Sequence, residues 1–258
     1  MPADEGRSAW TRPAFVGSAV LLLALAILAG WLLTRGDGDP DGPGATASPG
    51  AAASPGATGA PTSRPTGTAA PSAPPSAEPS VCGLTAEAAS GTLTRAPDAR
   101  WDLVGTVAAP SVEGQGPGED DDGLRTCFAR TPTGALLAAA NVAAMGSNAT
   151  LVERMTNEMT AAGPGREAAL GRIADEGAPA VPSVVRYQIR GFRLLDYSGT
   201  EASVDLALGV DGGLTGSFVL DLRWEDGDWK VVLTDDGGLG SLPAPVPDLT
   251  GYTLWSGA

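Results

Sequence analysis

Three patterns of apolar spacing follow one another along the chain. The first is an unbroken run, Ala14 to Leu33 (AFVGSAVLLLALAILAGWLL), twenty residues without a charge. At about 1.5 Å of rise per residue, a helix of that length reaches about 30 Å, the hydrocarbon thickness of a bilayer. No polar face interrupts the run, and Trp10 and Trp31 stand near its ends as interfacial aromatics do. The expectation is a single membrane span over 14–33. Arg7 and Arg12 precede it and Arg35 follows, which places residues 1–13 in the cytoplasm and the rest of the chain outside. A cleaved signal peptide is the rival reading. It calls for a shorter apolar region and a small-residue cleavage site, whereas Trp31-Leu32-Leu33 closes this run. An uncleaved signal anchor is therefore expected.

The second pattern is helical and begins after a long interruption. Residues 34–80 are dominated by Gly, Ala, Pro, Ser and Thr and hold almost no large apolar side chain, too little to offset the entropy of ordering. As a coil this linker spans about 35–40 Å, and as extended polyproline about 140 Å. Its Ser/Thr-Pro content also suits O-glycosylation. An ordered domain is expected over 81–258. Trp101-Asp102-Leu103-Val104 alternates as a first strand, and Gly114 to Gly123 reads as a Gly-rich acidic loop. Thr131-Pro132 sets a capping hydroxyl ahead of a proline, and the Ala/Leu-rich run Thr133 to Met145 continues as a helix. Asn148 is expected to cap a second helix running to Ala162, and Arg166 to Glu176 reads as a third, ended by Gly177.

From Ser183 the period becomes two. Val185, Tyr187 and Ile189 alternate with Arg186, Gln188 and Arg190. Beyond Gly191 the apolar positions shift parity to Phe192 and Leu194, which predicts a β-bulge near Arg190-Gly191. Val204 to Val210, Phe218 to Trp224 and Trp229 to Leu233 read as three more strands, with turns at Asp211-Gly212-Gly213 and Asp226-Gly227-Asp228. The tail from Leu242 to Pro247 is extended, and Tyr252 and Trp255 are placed to return over a sheet edge. Helices followed by a bent four-stranded antiparallel meander define an α+β class, with about three helices packed on the sheet.

Two stretches carry a resemblance. Gly227-Asp228-Trp229-Lys230-Val231-Val232, with the order of elements, looks like an NTF2-like (cystatin-like α+β cone) domain. The block Cys127-Phe128-Ala129-Arg130-Thr131-Pro132-Thr133-Gly134-Ala135-Leu136-Leu137-Ala138-Ala139-Ala140-Asn141 resembles a family of membrane-anchored actinobacterial proteins associated with integrative conjugative elements. The match covers about Trp101 to Thr234. It implies a bitopic protein with an NTF2-like outer domain, as found among assembly factors of conjugative type IV secretion systems. No catalytic residue comes with it.

Charge and composition then narrow the chemistry. The net charge is −14, and from Val81 onward 24 acidic residues face 12 basic ones, so the domain repels phosphate backbones and no nucleic-acid partner is expected. Fifteen of the sixteen basic residues are Arg, which with the Ala/Gly/Pro excess suggests a GC-rich coding bias. The absence of His removes the commonest general base and metal ligand. No cofactor and no enzymatic activity are expected. Cys82 and Cys127, an even pair on the outer side, suggest a disulfide, with two separate buried thiols as the alternative. Glu119-Asp120-Asp121-Asp122 supplies hard oxygen ligands but lacks the spacing of a calcium loop and reads as a solvated acidic loop, as does Asp235-Asp236. Asn148-Ala149-Thr150 matches a glycosylation sequon, but a helix cap is the simpler reading of Asn148.

By parity, Asp205, Asp221 and Arg223 point away from the apolar side of the strands, while Tyr187 and Trp224 belong to its packing. The outer face of the sheet, with Arg186, Arg190 and Arg223, is the candidate protein-interaction face, since the arginine fork suits carboxylates. Two functions follow: a cell-surface structural or interaction protein, with a conjugative transfer apparatus as its setting; or a module holding a small apolar or cell-wall-derived ligand in the cone. An isomerase- or dehydratase-type enzyme is the third and weakest.

Overall fold

The computed structural model describes residues 78–178, 186–210 and 213–257. The span at 14–33, the arm before it and most of the linker lie outside the described residues, as do Asp211 and Gly212 of the expected turn. Among the described residues no helix is long and apolar enough to cross a membrane.

In chain order the elements are β1 (Arg100–Val104), β2 (Val107–Ser111), β3 (Glu119–Asp121), β4 (Leu124–Thr126), α1 (Pro132–Met145), α2 (Val152–Met159), α3 (Pro164–Glu176), β5 (Tyr187–Tyr197), β6 (Glu201–Val210), β7 (Leu214–Glu225), β8 (Asp228–Val231), β9 (Ala244–Pro245) and β10 (Thr253–Leu254). The class is α+β, with three helices and a mostly antiparallel sheet. The principal sheet runs β10-β5-β6-β7-β8, with β9 pairing with β7.

The alternating apolar set of the meander faces α1. Ile189, Phe192, Val204, Leu206, Leu220, Leu222, Trp229 and Val231 are all buried in one cluster with that helix. Helix α1 is buried almost all round, eleven of its 14 residues being out of solvent. Alanine makes this feasible, since its small side chain lets the strands come close, while Gly134 lets the chain leading into the helix lie against its first turn. A Cβ there would stand 1.9 Å from the Ala129 carbonyl oxygen. The helix starts where expected, Thr131 Oγ1 accepting from Gly134 N at 2.9 Å with Pro132 in the first turn.

The bulge predicted near Gly191 is present: Ile189 pairs with Leu208 and Gly191 with Ala207, which leaves Arg190 as the extra residue. A second bulge, at Leu195 between Leu194 and Asp196, has no counterpart in the apolar spacing. The tail returns as expected. β10 pairs with β5 at Phe192 and Gly191, Trp255 N donates to Arg190 O, and β9 lies along β7.

Two expectations are corrected. The stretch read as an acidic loop contains a hairpin, β3–β4, closed by Asp122 (φ 49°) and Gly123 (φ 87°), both at the positive φ that a type I′ turn needs. Asn148 does not cap α2. Its Oδ1 accepts from Thr150 N and Oγ1, making a turn ahead of the helix, which begins only after Leu151 and ends at Met159 rather than Ala162. Thr160 is already extended there, and the chain bridges Val231 on β8. The first strand stands where expected, over Arg100–Val104, and pairs with β2 in a separate two-stranded hairpin.

Candidate functional site

The first described residues are held to the domain at several points. Cys82 and Cys127 form the disulfide, with Cα atoms 6.1 Å apart, which decides against two separate thiols. Around it the chain's first described residues dock on the β7–β8 hairpin. Trp224 Nε1 donates to Glu78 O at 2.9 Å, and Val81 N donates to Gly227 O at 3.0 Å. Gly227 lies at φ 76°, and a Cβ there would meet Pro79 O at 2.5 Å, so both its conformation and the close approach of the entering chain call for glycine.

Asp228, the next residue, holds the other side of the disulfide. Its carboxylate accepts three backbone N–H bonds, from Cys127, Phe128 and Trp229, each at 2.8 Å. Two of them fix a turn in which Cys127, a non-glycine residue, sits at φ 64°. Burial pushes the Asp228 carboxyl above its ordinary value, opposed by Lys230, whose Nζ lies 4.0 Å away, and by the three N–H donors. Trp229 Nε1 donates to Ala129 O at 2.9 Å. The Gly-Asp-Trp-Lys sequence is thus a clamp of buried bonds joining the last long hairpin to the start of the domain.

A second polar assembly was not singled out from the sequence. Arg125 is 4 % exposed. Its Nε donates to Asp120 Oδ2 at 3.2 Å, its Nη1 to Ala109 O and Asn141 Oδ1, and its Nη2 to Asp102 Oδ2 at 3.3 Å. Asn141, fully buried on α1, donates to Pro110 O and Leu137 O, both at 2.9 Å. One guanidinium and one amide thereby tie both hairpins to the central helix. Arg125 also floors a cleft of about 470 Å³ with Arg100, Asp102, Asp120 and Asn148 at its walls. The signal available in the sequence was Asn141 itself, a polar residue in the middle of an Ala/Leu run.

Two of the four carboxylates of the acidic run are engaged. Asp120 accepts from Gly123 N and Arg125 Nε, and Asp121 accepts from Arg154 Nη2 at 2.6 Å. Asp236 accepts from Thr234 Oγ1, a bond that holds its carboxyl below the usual range.

On the far face of the sheet the parity argument holds for direction but not for exposure. Asp205 lies on that face, yet it is 1 % exposed, because the returning tail covers it. Tyr252 Oη donates to Asp205 Oδ2 at 2.8 Å, Arg193 Nε donates to the same oxygen at 3.0 Å, and the guanidinium stacks on the Tyr252 ring at 4.4 Å. On that face Asp205 is a buried latch for the tail. Asp221 accepts from Ser203 Oγ and stays exposed.

The three arginines of the candidate face do not converge. Arg186 and Arg190 are exposed at one end of the sheet, the stem of Arg190 lying on Gly209. Arg223 pairs across from Glu201, eight residues from Gly209 on β6, or about 27 Å along the strand. It is half-buried and faces Glu225 at 3.8 Å. On the apolar side, Tyr187 Oη donates to Ala143 O at 2.6 Å, and burial pushes its phenol up to about 12. Tyr187 and Trp224 both pack against the core cluster.

The assembly described is an α+β domain whose antiparallel sheet packs on a buried alanine-rich helix, with buried polar bonding at the chain's entry, at Arg125 and Asn141, and at Asp205. Residues 40–254 match the family described as domain of unknown function DUF8175, and the chain belongs to that family. No curated protein and no solved structure matches the chain.

Proposed function

We propose that the chain is a membrane-anchored cell-surface protein whose outer domain binds other membrane or surface proteins. The anchor is Ala14–Leu33 with the N-terminus cytoplasmic, the linker to about Ser80 is a stalk, and the domain is of the NTF2-like kind. In this reading the domain performs no catalysis and takes no cofactor. A conjugative transfer apparatus is its setting, in line with the resemblance carried by the Cys127–Asn141 block.

One observation carries the reading: a disulfide, Cys82–Cys127, stands where the linker meets the domain. Disulfides persist in oxidising compartments, which is the side of the membrane that Arg7, Arg12 and Arg35 assign to this domain. Packing of α1 against the apolar face of the sheet supports protein binding over the alternative of a small ligand held in a cone. Arg186 and Arg190, exposed together at one sheet end, are the best-placed side chains for docking a partner's carboxylates.

The test has two arms. Full-length protein should stay with the membrane through alkaline carbonate extraction, and its domain should be cut by protease added outside intact cells. Arg186→Glu with Arg190→Glu should leave the protein folded in the membrane while reducing the partners recovered with it. Soluble protein with alkylatable thiols refutes the anchor; unchanged partner recovery refutes the docking face.

A further inference from the structure

The β1–β2 hairpin has one closed edge and one open one. On β2, Ala108 N donates to Gln188 Oε1 at 3.0 Å and Pro110 O accepts from Asn141 Nδ2 at 2.9 Å, while Pro110 has no N–H to satisfy. Ala108 and Pro110 therefore turn their backbone groups away from β1, and the register sets them opposite Leu103 and Trp101. Residues opposite one another in an antiparallel pair either bond to each other or both bond outward. Trp101 and Leu103 thus direct their N–H and C=O groups to the free side of β1, whose strand partner is β2 alone. Among the described residues nothing bonds to these groups. Leu103 is 75 % exposed beside them. Edge strands are guarded by proline, lysine or a bulge, and β1 has none of these.

A backbone edge of this kind takes an extended chain, which adds a strand and supplies the missing partners. The side chains of β1 say which chain. Its two charged residues, Arg100 and Asp102, share one face, with Nε and Oδ2 3.5 Å apart. Arg-x-Asp read in reverse is Asp-x-Arg. Two antiparallel copies centred on Trp101 therefore place Arg100 of each opposite Asp102 of the other, about 5 Å apart at Cβ. Leu103 then faces Ala99 of the second copy, a small residue that leaves room for it. Shifting the register by two residues would set Asp102 against Asp102, which is disfavoured. From Val81 onward the chain has 24 acidic and 12 basic residues, yet this patch is balanced, Arg100 and Arg125 against Asp102 and Asp120. Local charge thus does not oppose a second copy here. The pairing asks nothing of the Trp101 ring, which stays packed on Trp255 and Gly257.

We propose that β1 pairs with β1 of a second copy about a two-fold axis at Trp101. The isologous contact joins the backbones of Ala99, Trp101 and Leu103 and forms an Arg100–Asp102 pair on each side of the axis. A five-residue strand makes a small interface, so the dimer is reversible and concentration-dependent. The contact goes beyond the docking of other proteins at Arg186 and Arg190 and does not depend on it.

The experiment mixes two populations of full-length protein, one isotopically heavy, each with a photo-crosslinking amino acid in place of Leu103, and maps the products by mass spectrometry. The expected products join position 103 of one population to residues 97–101 of the other. Arg100→Asp in both populations, at a side chain 80 % exposed, sets like charges opposite each other and should lower the yield about fivefold. Arg100→Lys should keep it. Mixing Arg100→Asp copies with Asp102→Arg copies re-forms both pairs and should restore the yield. If Asp102→Arg, which also loses its bond to Arg125, fails to fold, the comparison of Asp with Lys at position 100 decides. Products confined to one chain, products with another protein or elsewhere on the domain, or a yield indifferent to Arg100→Asp each overturn the proposal. A mixture of folded copies that does no better than Arg100→Asp alone overturns it too. Partner recovery after Arg186→Glu with Arg190→Glu reads the other docking face separately, so failure of one leaves the other standing.

Discussion

Replacing Asp228 by alanine tests the clamp at the domain's entry. The substitution removes the acceptor of three backbone N–H groups, those of Cys127, Phe128 and Trp229, all within a buried region. A buried donor left without a partner costs about 1–3 kcal/mol, so the three together set a ceiling of about 9. Relaxation of the turn and relief from burying a charge offset part of this, and a net loss of about 3–4 kcal/mol is expected. The measurement is urea unfolding of the full-length protein, followed by tryptophan fluorescence, Trp224 and Trp229 lying with rings 5.5 Å apart beside the clamp. With a denaturant slope of about 2 kcal/mol per molar, the midpoint should fall by about 1.5–2 M. Asp228→Asn is the control for charge. It retains one acceptor but turns an NH2 group toward a backbone donor, so it too should lose more than 1 M. A shift below about 0.5 M in both variants would show that the carboxylate does not hold the turn.

Three further outcomes follow from the same packing. Gly134→Ala favours the isolated helix by about 1 kcal/mol but drives a methyl into the Ala129 carbonyl, so the protein should fail to accumulate in folded form, read by circular dichroism and expression level. Cys82→Ser with Cys127→Ser opens a loop of 45 residues and should cost about 4 kcal/mol, matched by adding reductant to the wild type. Tyr187 is expected to make stability fall at high pH. Its phenol ionises at about 12 in the folded protein against 10.0 unfolded, so its contribution is complete below pH 10 and is lost as pH rises toward 12. Wild type should therefore lose about 2–3 kcal/mol across that interval in excess of Tyr187→Phe, measured by urea midpoints; parallel profiles would refute the burial of that hydroxyl.

What the sequence discloses and withholds divides along physical lines. Local signals were sufficient for Thr131-Pro132 as a helix start and for the alternating strands β5 to β8. The parity shift at Gly191 sufficed for the first bulge, because each is written in neighbouring residues. Asp122-Gly123 also carried a local turn signal, but four consecutive carboxylates masked it as a strand end. Asn148 has the chemistry of a helix cap and uses it one turn early, a choice set by packing at Leu151. Asp205 could not be placed by parity alone, since parity gives a face and the burial comes from Tyr252, 47 residues away. Arg125 and Asn141 meet across 16 positions, and the three-way bonding of both hairpins to α1 has no sequence signature beyond one amide among alanines.

The clamp also determines how the domain responds to being pulled. Load applied to the chain ahead of the domain meets the bond from Trp224 Nε1 to Glu78 O, and then Val81 and Cys82. There it is divided between a covalent bond to Cys127 and hydrogen bonds to the β7–β8 hairpin, which is itself paired with β6 in the middle of the sheet. The element that takes the strain is thus not a free end that can be peeled residue by residue. It is a cross-linked loop backed by the central strands, so tension is passed into the whole domain at once. A domain moored in this way keeps its shape while its attachment point moves.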